Sequence, residues 1–203
     1  MPSLSVPYFV QPTPITCQST CLKMVASYLE QRFGVCTGAG EMDIEDIWRE
    51  VNESPQRPSK PRNAHDNFAW WLNKYFGAYG IRARRESGIP SESRAQALIK
   101  RSIDDGWPVL VGVSHERVKG HIIVVLGYSG MADMRSGGQD FLCHDPYGRF
   151  HREHGSKEYG KRRFDRGASL FSGGQTGPGD SIWQSLGALS REARFSWDLV
   201  LLR

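Results

Sequence analysis

Apolar residues return every three or four positions after Cys17. Leu22, Val25, Ala26 and Leu29 share one face of a 3.6-residue repeat and predict an amphipathic helix from Cys17 to about residue 31. Pro12, Thr13 and Pro14 hold the chain extended before it, because proline lacks a backbone donor and keeps the preceding residue out of the helical region. Thr16 is then the expected N-cap. The pattern predicts further helices over about 44–51, over 68–76 where Phe68, Trp71, Leu72 and Phe76 cluster, and over 91–103 behind a serine cap.

Between and after these helices the period changes. Gly106-Trp-Pro-Val-Leu-Val-Gly-Val113 and Ile122-Ile-Val-Val-Leu126 are short runs rich in β-branched residues and predict buried strands, as do 141–145 and 195–202. Residues 52–63, rich in Pro, Ser, Lys and Arg, and the glycine-rich 173–180 segment predict exposed loops. This order of helices and strands is α+β. At 203 residues and 39% hydrophobic, the chain is long enough for one good core and is expected to form a single domain, 1–203.

Chemistry gathers at three places. Cys17 stands in the first turn of its helix, where the helix N-terminus lowers a thiol pKa and the free amides face an incoming anion. His121 opens a strand that fixes its ring, and Asp145 emerges at a strand end before Pro146, placed to orient His121 and stabilise its charge. Gln11, six residues before Cys17, supplies an amide donor for an oxyanion. Together they form a nucleophile, a base, an orienter and an oxyanion donor.

These segments, Val6-Pro-Tyr-Phe-Val-Gln11 leading to Cys17, Gly120-His121 with its apolar strand, and Asp145-Pro-Tyr-Gly148, resemble the papain-like bacteriocin-processing cysteine peptidases that trim double-glycine leaders, and their free-standing relatives. The match covers roughly residues 6–30 and 107–150, with Gln18 and Ser19 where the family commonly has Gly-Pro. The resemblance implies a papain-like fold, its N-terminal Cys helix packed on an antiparallel sheet bearing His and Asp. It also implies Cys17 as nucleophile, His121 as base, Asp145 as orienter and Gln11 as oxyanion donor. The Asp-Pro-Tyr-Gly segment with its Gly-, Tyr- and Arg-rich continuation is similar to the relatives found in phage lysins, which cut peptidoglycan.

The remaining cysteines and histidines carry weaker signals. Cys21 lies one turn beyond Cys17 with Leu22 and Met24 beside it and is expected in the core, while Cys36 and Cys143 lack CxxC spacing and are expected to be structural. A disulfide scaffold is not expected. His144, His151 and His154 form a weak zinc pattern in a loop-like context, and His115 is the second choice for the base; no metal and no cofactor is expected. The net charge is +4 and the pI about 8.9, with a basic stretch from Arg149 to Arg166. That stretch matches no nucleic-acid motif, so a peptide or an anionic wall polymer is the expected partner. The start lacks a signal-peptide pattern, and a mean hydropathy of -0.48 goes with no span long enough for a bilayer. The expectation is an enzyme made in the cytoplasm that acts on the wall after release. A protein-processing peptidase and a non-catalytic peptide-binding module are the alternatives.

Overall fold

A computed structural model describes residues 2–115, 118–133, 138–146, 182–185 and 197–203. Its elements run α1 (Cys17–Phe33), α2 (Ile44–Glu53), α3 (His65–Phe76), β1 (Ala83–Ile89), α4 (Glu92–Asp104), β2 (Val109–His115), β3 (Val118–Asp133), β4 (Gly138–His144), β5 (Ile182–Ser185) and β6 (Trp197–Leu202). The strands form an antiparallel sheet in the order β1-β6-β2-β3-β4-β5. The α+β expectation holds, with the cysteine helix packed against the sheet strand β3.

Each predicted helix is present within a few residues of its expected limits. Only α4 has the side-chain cap that was anticipated: Ser91 Oγ accepts from the Arg94 amide at 3.2 Å. Thr16 does occupy the N-cap position of α1, but its hydroxyl turns back to donate to the Thr13 carbonyl at 3.0 Å and does not cap the helix. The expected amphipathic face of α1 is also too modest a description. From Cys17 to Leu29 nearly every side chain is buried, because β3 covers one side while α2 and α3 cover others.

Both faces of the sheet are covered, which explains why Ile122-Ile-Val-Val-Leu126 is continuously apolar. Ile122, Val124 and Leu126 join the core formed with α1, α2 and α3, whereas Ile123 and Val125 join a second core with Ile99 and Ile103 of α4 and with Phe141 and Cys143 of β4. Alternate residues of one strand thus serve two layers. Beyond the cores, Glu50 of α2 accepts from Trp71 Nε1 at 2.8 Å and Tyr75 hydroxyl at 2.9 Å and pairs with Lys74, clamping α2 to α3. Arg85 of β1 reaches Asp66 at 2.7 Å and both carboxylate oxygens of Asp198 at 2.7 and 2.9 Å, tying the edge strand to α3 and β6.

The N-terminal segment runs beside the β3 and β4 region. Leu4 N–H donates to the Leu126 carbonyl at 2.8 Å, His144 Nε2 donates to the Val6 carbonyl at 2.8 Å, and Gln11 N–H donates to the Pro146 carbonyl at 3.0 Å. This is how a residue far upstream in sequence comes to lie against the strand end that carries Asp145. The 149–166 basic stretch, His151, His154 and the 173–180 loop lie outside the described residues.

Candidate active site

The start of α1, the start of the apolar run of β3 and the end of β4 converge on one buried line of side chains. Gly120 has φ of +81°, a conformation that L side chains rarely adopt, and it directs the chain into His121. His121 is 1% exposed and its Nε2 donates to Asp145 Oδ1 at 2.8 Å; Asp145 is 2% exposed. His121 is also hydrogen-bonded to the Cys17 side chain. The order Cys17, His121, Asp145 is continuous.

Electrostatics follow from that order. Burial opposes charge on the imidazole, but the Asp145 carboxylate and its hydrogen bond, with the hydrogen bond and charge of Cys17, push the His121 pKa up to about 10. Burial likewise pushes the Cys17 thiol up. The hydrogen bond and charge of His121, with backbone hydrogen bonds at Ile122 and Gln18, outweigh it and hold the thiol below its ordinary value. The first amides of α1 have no intrahelical acceptor, and the Thr16 hydroxyl does not satisfy them. They add a positive end to the site.

Cys21 does not compete. It is fully buried, its Sγ donates to the Ile122 carbonyl at 3.3 Å, and burial followed by the nearby Cys17 and Asp145 pushes its pKa well up. Cys143 is buried as expected, but Cys36 is exposed and plays no part in packing the core. No disulfide joins these four cysteines. His144 sits in the core at 2% exposure against Tyr8, ring centroids 5.3 Å apart, and among the described residues no cluster of His, Cys, Asp and Glu is arranged to hold a metal. His115 ends β2, and its side chain is outside the described set.

Gln11 is 1% exposed, anchored through its backbone to Pro146 beside Asp145. Its Nε2 donates to the Thr13 carbonyl at 2.8 Å, which uses one of two hydrogens, and its Oε1 has no partner among the described residues.

Three residues close to this line escaped the sequence reading. Tyr8 hydroxyl donates to the Asp145 carbonyl at 3.1 Å and fixes the strand end from the N-terminal side. Gln18 Oε1 lies 3.5 Å from Cys17 Sγ, and Gln18 Nε2 donates to Asn63 Oδ1 at 2.8 Å. Tyr8 follows the Val6-Pro7 pair, so an aromatic beside the segment's prolines was its only signal; Asn63, in a loop, carried none.

The Peptidase_C39 like family model matches residues 3–167, a span that includes α1, β3, the end of β4 and all of the residues just described. The chain belongs to the Peptidase_C39 like family. It is a cysteine peptidase, a hydrolase whose substrate is a peptide. No curated protein matches the chain. Among the described residues of this C39-like peptidase, no helix is long and apolar enough to cross a membrane.

Proposed function

We propose that Cys17 is the nucleophile of this peptidase, His121 its acid and base, Asp145 the orienter of His121 and Gln11 a donor to the oxyanion. The observation that carries the reading is the buried line in which His121 bonds both Asp145, through Nε2, and the Cys17 side chain. Cys17 thiolate attacks the scissile carbonyl carbon, forming a C–S bond as the C=O electron pair moves onto oxygen. The free Nε2 hydrogen of Gln11 and the first amides of α1 are the donors for that oxygen. Collapse re-forms C=O and breaks C–N while the imidazolium gives its proton to the leaving amine. Water then attacks the thioester, His121 takes its proton, and the Cys17 thiolate departs from the new acid.

For the substrate we propose the peptide stems or bridges of bacterial peptidoglycan, reached after the enzyme is released to the wall. Support comes from the net charge of +4 and from the lysin-like Asp145-Pro-Tyr-Gly148 segment, since a cationic enzyme is drawn to an anionic wall. Purified sacculi incubated with the wild type are expected to release soluble peptides with new termini, read by mass spectrometry. Cys17→Ala is expected to release none while keeping the wild-type circular dichroism. Wild-type inactivity on sacculi, with Cys17-dependent cleavage of a denatured protein, would move the substrate to polypeptides. Full activity in Cys17→Ala would end the mechanism.

A further inference from the structure

Gln18 departs from the family's usual residue after the cysteine, and the geometry around it is specific. Asn52 Nδ2 donates to the Trp48 carbonyl at 3.0 Å and Asn52 Oδ1 accepts the Asn63 amide at 2.7 Å, so two backbone groups fix which way Asn52 faces. Asn63 holds a left-handed backbone, φ 61°, which costs a non-glycine residue energy and persists only where its surroundings enforce it. From there its Oδ1 accepts from Gln18 Nε2, and Gln18, 1% exposed, turns its other amide atom to the Cys17 sulfur. A loop that looks like a solvent-exposed insertion thus returns to the nucleophile through a chain of three amides. Asn67, which exchanges two hydrogen bonds with Ser59 at 2.9 and 3.0 Å, pins the loop midway.

The sulfur has two partners with opposite needs. As a thiol it donates to Gln18 Oε1; as a thiolate it is an acceptor, and a carbonyl oxygen facing it repels it. A primary amide can satisfy either state by turning end for end, because Nε2 and Oε1 occupy nearly the same positions and Asn63 offers the same choice of Oδ1 or Nδ2. We propose that Gln18 and Asn63 are positioning residues for Cys17: the pair holds Sγ in line with His121 and follows its ionisation, turning a carbonyl to the thiol and an amide donor to the thiolate. This rests on Cys17 being the nucleophile. It assigns the 52–63 loop a role in setting when Cys17 is reactive.

The charged and titratable groups around Cys17 among the described residues are His121 and Asp145 across the site and Cys21 one turn below. The loop's nearest charge, Arg62, pairs with Glu53 at 3.1 Å and lies over the Trp48 ring. The amide pair is therefore the part of the surroundings that a neutral substitution can change without removing a charge.

The test is the pH dependence of alkylation by iodoacetamide, followed at the Cys17 peptide by mass spectrometry with exposed Cys36 as internal control. Gln18→Met keeps the length, offers no donor and adds no charge, and is expected to raise the Cys17 midpoint by about one unit, slowing alkylation at neutral pH about tenfold. Asn63→Gly keeps the left-handed backbone, removes the amide, and is expected to shift the midpoint the same way by less. Cys36 should not move in either variant. If Gln18→Met fails to give native circular dichroism, Asn63→Gly decides. Midpoints coincident with the wild type would overturn the proposal while leaving the nucleophile in place. A wild-type Cys17 that titrates like Cys36 would instead overturn both.

Discussion

Burial at 1% exposure opposes charge on His121, and the Asp145 carboxylate at 2.8 Å outweighs it and pushes the pKa up to about 10. Because the folded pKa lies above the ordinary 6.5, His121 contributes stability that is fully present below about 6.5 and lost as pH rises through about 10. Cys17 has the opposite sign: its pKa is lowered, so its contribution is present above 9.0 and lost as pH falls through the folded value. Asp145→Asn keeps an acceptor for Nε2 but removes the charge. Its melting temperature is expected to fall less than the wild type's between about pH 6.5 and 10, and the difference between the two profiles, measured by scanning calorimetry, isolates Asp145. Its rate should drop by about tenfold or more, toward the ~10⁴-fold loss seen when a serine enzyme's histidine takes the wrong tautomer, because without the carboxylate the ring is no longer held charged and oriented. An unchanged rate would remove Asp145 from the mechanism. The elements that carry Cys17, His121 and Asp145 were legible, since the apolar repeat or run beside each fixed a helix or a strand. Tyr8, Gln18 and Asn63 were not, because hydrogen bonds between residues 45 or 137 positions apart leave no periodic trace.

At the scale of elements, the strand bearing His121 starts from a backbone that only glycine adopts freely. Gly120 has open space where a Cβ would go, so Gly120→Ala meets no clash and acts through φ alone. The variant is expected to lose ~1–2 kcal/mol of stability in urea unfolding, the usual cost of placing an L residue in the left-handed region. Its activity should fall further than its stability, since relaxation of φ swings His121 from Asp145. Equal stability and activity to wild type would mean that the turn is not what aims the ring. The same logic explains which elements the sequence revealed. Helices and the buried strands β2, β3 and β6 carry long apolar repeats; β1, Ala-Arg-Arg-Glu-Ser-Gly-Ile, is an edge strand buried only at its two ends and carries no such repeat. It is a strand because β6 supplies its hydrogen-bond ladder and Arg85 anchors it to Asp66 and Asp198. Such tertiary causes are invisible to a local pattern. The Thr16 cap failed for a related reason: Thr13 lies within reach, its amide donating to the Thr16 hydroxyl at 3.2 Å and its carbonyl accepting from it at 3.0 Å.

Across the whole molecule the sheet divides labour between its faces. The face toward α1, α2 and α3 supports the helix that carries Cys17, while the core under α4, with Ile99, Ile103, Val111 and Phe141, supports the strands from behind. The two cores share strands but few side chains, since alternate residues point opposite ways. Stability and chemistry should therefore be separable by mutation. Ile99 is fully buried in the α4 core, on the face of the sheet away from α1, and Ile99→Ala is expected to cost ~2–5 kcal/mol, the range for losing a large buried aliphatic side chain. At temperatures where the variant is still folded, its kcat/KM and the pH profile of Cys17 alkylation should match the wild type. Leu22→Ala, fully buried on α1 one turn past Gln18, has a comparable cavity cost but sits in the helix that aims Cys17, so both readouts should change with it. If Ile99→Ala alters the alkylation profile as much as Leu22→Ala, the sheet transmits packing from one face to the other, and the α4 layer belongs to the catalytic apparatus as much as the cysteine helix does.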